Sequence, residues 1–305
     1  MLGVGNARNK YPIPNTQYPL PLTFLIFRQT IMTEQTSPIH VIKIGGSQID
    51  NRKFLAQMVE TIRHIKKSGV RPVIVHGGGK EIARLHDEMG VPFDFVDGLR
   101  VTSEQSMRLV KMALGGIANL RVVRWLVNGG VNAVGLNGID LGMIRVEKLS
   151  VEGADLGRVG QVDAVQTEHL LPLLDAGVTP VIAPISLGYD GLSYNVNADH
   201  VAEALATALG AAHLVFLTDV PGVSIAGRTQ RLIAAEQVED LIFGHFITGG
   251  MIPKVRSAAS AAKKGVPSAI ITDLEHYTRG EGTFIVSTSL KPGATADDRS
   301  GKTDA

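Results

Sequence analysis

His40-Val41-Ile42-Lys43-Ile44-Gly45-Gly46-Ser47 is a short apolar run closed by a glycine pair. It is rich in β-branched residues and too short for a helix, so it predicts a strand over residues 40–44. Beyond it, Phe54, Leu55, Met58, Val59, Ile62 and Ile65 recur at helical spacing, and Ser68-Gly69 ends that segment as a C-cap would. The alternation then repeats. Further strands are expected at 72–75, 133–136, 179–183, 213–217 and 268–271, and helices at 80–89, 198–209 and 252–264. This is the pattern of βαβ units around a mostly parallel sheet, an α/β fold. Residues 142–148 with 157–163, and 185–187 with 192–195, read as hairpins, and a boundary between two lobes is expected near Tyr189-Asp190-Gly191. Met107, Val110, Leu114, Ile117, Leu120, Val123 and Leu126 form an apolar stripe over 103–128 that suits either a second subunit or the chain's own core.

The chain has 305 residues, 44% of them hydrophobic, which is ample for a buried core. Its 30 basic and 29 acidic residues are interspersed, so neither a nucleic-acid face nor an acidic tail is indicated. With no cysteine there is no disulfide framework, thiolate nucleophile or cysteine-based metal site, which is compatible with a cytoplasmic setting. The apolar stretch 20–27 is too short for a membrane span and is broken by proline. Residues 1–38 read as an upstream mis-start, a disordered extension or a partner-binding arm, and 288–305 as a disordered polar tail.

Chemistry is concentrated in the glycine turns. Gly45-Gly46 sits where a strand gives way to a helix, so backbone amides can meet an anion there, with Lys43 two residues back. His76-Gly77-Gly78-Gly79 follows the second strand, and such a run favours close backbone approach by a ligand. Neither turn is a Walker A loop or a G-x-G-x-x-G fingerprint, which counts against a nicotinamide-dependent dehydrogenase. The nine histidines lack metal-ligand spacing, and His76 reads as a turn or core residue. In Asp97-Gly98-Leu99-Arg100-Val101-Thr102 the arginine suits a carboxylate or a surface ion pair. Asn195-Val196-Asn197-Ala198-Asp199 runs from an extended stretch into a helix start, where the aspartate would also serve the dipole. Thr248-Gly249-Gly250-Met251-Ile252-Pro253-Lys254 opens another helix, and Leu217-Thr218-Asp219-Val220-Pro221-Gly222 closes a strand. These segments converge on the carboxyl edge of the sheet, where open α/β folds bind ligands.

On these residues, the segment from Val41 to Val286 resembles the amino acid kinase superfamily and, within it, the N-acetylglutamate kinase family. The resemblance rests on Lys-Ile-Gly-Gly at 43–46 and Gly-Gly-Met-Ile-Pro-Lys at 249–254, together with Gly98-Leu99-Arg100-Val101-Thr102 and Asn195-Val196-Asn197-Ala198-Asp199. It implies a three-layer α/β/α sandwich with two lobes, residues 39–190 for the acceptor and dimerisation and 191–287 for ATP. It further implies phosphoryl transfer from MgATP to the side-chain carboxylate of N-acetyl-L-glutamate, a step of arginine biosynthesis. Lys43 and Lys254 would neutralise the moving phosphoryl group and Asp199 would hold both. Gly46, Gly78 and Gly79 would donate amides, Arg100 and Asn195 would bind the α-carboxylate, and Asn197 would support them. ATP would meet Gly45, Gly46, Thr218, Asp219, Gly222, Gly249 and Gly250, while Mg²⁺ would sit on phosphates and water, with no protein ligand. Residues 1–38 lack the amphipathic helix of arginine-inhibited hexameric members, and 272–282 is short, so an arginine-insensitive homodimer is expected. Two alternatives remain: a kinase for carrier-linked α-aminoadipate or glutamate, and a non-catalytic regulatory homologue.

Overall fold

The computed structural model describes residues 37–96 and 98–288. The readings of residues 1–36, of Asp97 and of 289–305 therefore lie outside the described residues. The chain starts with β1 (Ile39–Ile44), α1 (Arg52–Lys67), β2 (Arg71–His76) and α2 (Gly79–Met89). A small hairpin, β3 (Phe95–Val96) and β4 (Leu99–Arg100), leads into α3 (Glu104–Val110), a π-helical stretch (Lys111–Ala118) and α4 (Asn119–Asn128). Next come β5 (Ala133–Asn137), β6 (Ile144–Lys148), β7 (Gly160–Val165), α5 (Leu171–Asp175), β8 (Thr179–Ala183), β9 (Ile185–Gly188) and β10 (Ser193–Asn195). The remainder is α6 (Ala198–Ala208), β11 (His213–Leu217), the hairpin β12 (Ser224–Ile225) and β13 (Arg228–Thr229), β14 (Leu232–Ala234), α7 (Val238–Phe243), α8 (Met251–Lys263), β15 (Ser268–Thr272), α9 (Leu274–Thr278) and β16 (Thr283–Val286).

Eight strands form the main sheet in the order β14-β16-β15-β11-β1-β2-β8-β5. All neighbours are parallel except β16 on β15. Alternation along β1 sets the layers. Ile42 and Ile44 face Leu55, Met58 and Ile62 of α1 and Val122 and Leu126 of α4. Val41 faces the other way, into Val201, Ala202 and Leu205 of α6 and Ala258 and Ala261 of α8. With successive side chains on opposite faces, Lys43 shares Val41's side. One strand thus supplies core to both helical layers and aims one ammonium group at α6 and α8. Ile42 is fully buried, and its replacement by alanine would cost on the order of 2–5 kcal/mol.

Both expected hairpins are present, joined into a second sheet in the order β10-β9-β6-β7. Tyr189-Asp190-Gly191 forms the turn between β9 and β10; Gly191 adopts φ +78° and Asp190 Oδ1 accepts the Leu192 amide at 3.0 Å. The helical region after Ser103, whose side chain caps it through the Ser106 amide at 3.1 Å, departs from a uniform stripe. The π-helical stretch shifts the phase of the side chains that follow it. Met107, Val110, Leu114 and Leu126 are core, whereas Leu120 is exposed alongside Met112 and Val127. Most of the stripe therefore packs within its own chain, and a different face meets solvent.

Candidate active site

Two cavities open at the carboxyl edge of the main sheet. The larger, about 630 Å³, is lined by Gly46, Gly77, Gly78 and Gly79 on one side and by Phe93, Phe95, Arg100, Asn195 and Asn197 on another. The smaller, about 390 Å³, is lined by Gly45, Gly46, Ser47, Thr218, Asp219, Val220 and Met251. Lys43, Lys254, Gly46 and Gly250 belong to both walls. Asp199 stands between the two ammonium groups: Lys43 Nζ lies 2.7 Å from Oδ1 and Lys254 Nζ lies 3.5 Å from Oδ2. The residues come from β1, the first turn of α6 and the first turn of α8, so three elements distant in sequence build one charged bridge.

The electrostatics follow from burial. Lys43 and Asp199 are both buried. Desolvation pushes the Lys43 ammonium below the usual lysine range; Asp199 opposes that shift and Lys254 adds to it. Desolvation alone would raise the Asp199 carboxyl, but Lys43 and then Lys254 outweigh it and hold the group below the usual carboxylate range. Asn197 is the N-cap of α6, and its Oδ1 accepts the Asp199 amide at 2.8 Å. That bond sets the start of the helix carrying the carboxylate. No side chain caps α8; the Met251 and Ile252 amides instead donate to the Thr248 and Gly249 carbonyls at 3.3 and 3.1 Å, and the positive end of the helix lies beside Gly250 and Lys254.

The glycine turns touch each other. A Cβ on Gly46 would stand 2.6 Å from the Gly78 nitrogen and 2.9 Å from that of Gly79, so only glycine allows this approach. Among the described residues the amides of Gly46, Gly78 and Gly79 donate to no protein acceptor. Gly45 differs, since its amide donates to Gln48 Oε1 at 2.9 Å. Thr218 Oγ1 donates to the Val220 carbonyl at 2.8 Å and so shapes the turn that rims the smaller cavity. Gly222 and Gly249 line neither cavity. A Cβ on Gly222 would meet Thr283 Oγ1 at 2.5 Å, a packing constraint, and Gly249 takes φ +58° in the turn before α8.

Arg100 is held more tightly than its sequence suggests. Its guanidinium carbon lies 4.1 Å from the Phe93 ring centroid and 4.7 Å from that of Phe95. Its Nη1 is buried without a protein partner, in a cavity wall, and burial lowers its pKa. Its Nη2 donates to the Gly79 carbonyl at 3.4 Å, and a half-buried, stacked guanidinium with Nη1 unpaired suits a carboxylate, which offers it a further acceptor. Asn195 Nδ2 donates to Thr102 Oγ1 at 3.2 Å, and Thr102 Oγ1 donates to the Arg100 carbonyl at 2.8 Å, which ties Asn195 to the arginine's own backbone. Sequence reasoning passed over Phe93 and Phe95; the signal available was the Phe-x-Phe alternation just before a hairpin arginine. His76 is fully buried, its pKa lowered to about 4 by desolvation, partly offset by a bond to the Gly77 carbonyl. Among the described residues no three acidic or histidine side chains gather into a metal site.

The profile of the amino acid kinase family matches residues 38–273, and the chain belongs to that family. The acetylglutamate kinase of Chloroflexus aurantiacus is 49% identical over 247 residues, spanning 81% of this chain and 96% of that protein. The acetylglutamate kinase of Methanopyrus kandleri is 42% identical over 255 residues, spanning 81% of this chain and all of that protein. A crystal structure of a protein from Streptococcus mutans UA159 is 34% identical and superposes with a TM-score of 0.72, covering 82% of this chain and 98% of that one. N-acetylglutamate synthase from Neisseria gonorrhoeae shares the fold at 24% identity and a TM-score of 0.74, covering 83% of this chain and 60% of that one.

Proposed function

We propose that this protein transfers the γ-phosphoryl group of ATP to the side-chain carboxylate of N-acetyl-L-glutamate, giving N-acetyl-L-glutamyl 5-phosphate in arginine biosynthesis. The observation that carries the reading is the bridge of Lys43, Asp199 and Lys254 between two cavities. The kinship with acetylglutamate kinases selects the acceptor. The larger cavity, with Arg100 and Asn195, takes the acceptor and its α-carboxylate; the smaller takes the nucleotide. This corresponds to an acceptor lobe over 39–190 and a nucleotide lobe over 191–287.

In the step itself a carboxylate oxygen of the acceptor forms a bond to the γ-phosphorus while the bond to the bridging oxygen of ADP breaks. The leaving electron pair stays on ADP, and no proton has to move. A carboxylate is already nucleophilic, so the obstacle is repulsion between anions. Placement and fixed positive charge therefore do the catalytic work. Lys43 and Lys254 would flank the moving group, and Gly46, Gly78 and Gly79 would present amides to its oxygens. Ammonium and amide donors suit phosphate oxygens rather than a cation. Mg²⁺ brought with ATP would offset charge on the phosphates and be held by their oxygens and water.

The test is ADP release with MgATP and N-acetyl-L-glutamate, compared with free glutamate and N-acetylaspartate, with hydroxylamine trapping the acyl phosphate. Selective turnover with hydroxamate is expected; equal turnover of all three acceptors would contradict the assignment. We further infer a cytoplasmic homodimer insensitive to arginine; among the described residues no helix is long and apolar enough to cross a membrane. The exposed Met112, Leu120 and Val127 offer the dimer its apolar face. A monomer or hexamer mass by light scattering, or strong inhibition by arginine, would refute that part.

A further inference from the structure

We propose that His76, backed by Asn119, is a positioning residue that turns the Gly77–Gly78 peptide so that the Gly78 amide faces the transferred phosphoryl group. The proposal rests on the phosphoryl-transfer reading of the two cavities, but its structural half stands without it.

The argument begins at Asn119, the first residue of α4. Its Nδ2 lies 2.9 Å from the Val181 carbonyl oxygen and 3.1 Å from His76 Nε2. The other end of the amide packs on Gly135, where a Cβ would come within 2.0 Å of Oδ1. Turning the amide over would set its oxygen against the Val181 carbonyl, acceptor against acceptor, so the nitrogen must face Val181. That nitrogen donates its second hydrogen to Nε2, which makes Nε2 an acceptor. The ring proton then resides on Nδ1, which donates to the Gly77 carbonyl at 2.8 Å. Complete burial keeps the imidazole neutral, as this tautomer requires.

The peptide geometry follows. The Gly77 amide donates to Ile44 O at 3.0 Å, and the Gly78 carbonyl accepts from the Ile82 amide at 3.0 Å. With the Gly77 carbonyl held by His76, three of the four polar groups of these two glycines are satisfied inside the protein. The described peptides are trans, so the Gly78 N–H points opposite to the Gly77 carbonyl, away from the histidine. Gly46 and Gly78 both line the larger cavity, and a Cβ on Gly46 would stand 2.6 Å from the Gly78 nitrogen, so the two glycine turns meet at one wall. A Gly-Gly peptide with a free carbonyl flips readily, and the flipped form would present an oxygen to an anion. The histidine therefore acts on the barrier to transfer, through a backbone donor it does not itself supply to substrate.

Two measurements test this. In the intact wild-type protein labelled with ¹⁵N-histidine, the His76 resonances, assigned by their loss in His76→Asn, are expected to show a protonated Nδ1 and a bare Nε2 near neutral pH. The opposite tautomer, or an imidazolium, overturns the proposal whether or not the protein is a kinase. In the turnover assay, His76→Leu is expected to lower kcat by roughly 10–100-fold, with KM for ATP and acceptor within about threefold. His76→Asn, whose amide nitrogen falls near the Nδ1 position, is expected to recover at least about tenfold of that loss. Equal impairment of the two variants would mean that only packing is at stake, and wild-type kcat in His76→Leu would also reject the role. If both variants fail to fold, the tautomer of the wild-type ring decides. Absence of all turnover in the wild-type protein would instead count against the phosphoryl-transfer reading.

Discussion

Replacing Asp199 by asparagine keeps the shape of the bridge and removes its negative charge. At 2.7 and 3.5 Å, with an effective dielectric of about 20, the carboxylate attracts Lys43 by about 6 kcal/mol and Lys254 by about 5 kcal/mol. Lys43 depends on that attraction more than Lys254 does, because its side chain is 8% exposed against 21%. Burial already favours its neutral form, and Asp199 is the main influence opposing this. In Asp199→Asn the Lys43 pKa therefore falls further, and the neutral amine is favoured more strongly than in the wild-type protein. Loss of one fixed charge at the transferring group costs about 3–4 kcal/mol, or 10²- to 10³-fold in kcat. A neutral Lys43 also avoids leaving a buried charge unpaired, so the variant should fold, at a cost of a few kcal/mol. The assay is ADP release at saturating substrates across about pH 6–9. The variant's kcat should fall as pH rises through the lowered Lys43 pKa and recover towards acid pH. A folded variant within threefold of wild-type kcat, or one with an unchanged pH profile, would refute the reasoning.

Lys254→Ala should lose on the order of 10²-fold or more in kcat, and near-normal turnover in a folded protein would remove Lys254 from the transfer step. Arg100→Lys keeps the charge but loses the planar stack on Phe93 and Phe95 and the forked donors; KM for the acceptor should rise at least about tenfold, with KM for ATP little changed. Equal shifts in both KM values would argue against an acceptor subsite. His40 and His76 both have folded-state pKa values lowered to about 4 from 6.5, chiefly by burial. The unfolded chain then binds protons first as pH falls, so the stability they contribute is complete above about pH 6.5 and is lost on the way down to about 4. Urea denaturation should show roughly 3–4 kcal/mol less stability at pH 5 than at pH 7, with about half that difference in His76→Asn. An equal stability at the two pH values would show that these rings are not buried neutral.

The parts of the fold legible in the sequence were those that rest on local repetition. The strand at β1 and the helix α1 each announced themselves by period, and the alternation of β1 is what delivers Lys43 to the side of α6 and α8. Strands β14 and β16, at one end of the main sheet, escaped notice because three or four residues are too few to show a period, and β16 runs antiparallel to β15. The π-helical stretch was hidden because Lys111–Ala118 contains only ordinary helical residues and a Gly115-Gly116 pair; its phase shift appears only once neighbours are in place. Within the site, the glycine turns and the Lys-Asp-Lys set could be read, while Gly222 and Gly249 looked the same in sequence and serve packing and turn geometry. Pairs such as Arg121 with Glu81, at 3.1 Å, and Arg121 with Asp50 join the two glycine-turn regions through a third helix. No spacing rule reaches that far along a chain.

Lys43, Gly46, Gly250 and Lys254 are walls of both cavities, so the two compartments have a common source of positive potential. A charge seen by two occupants couples their affinities: whatever anion fills one side partly screens the lysines from the other. Because binding free energies are functions of state, the factor by which the first occupant alters the second must equal the reverse. In the proposed reaction, two resting anions held side by side would therefore weaken each other's binding by the same factor, whichever arrives first.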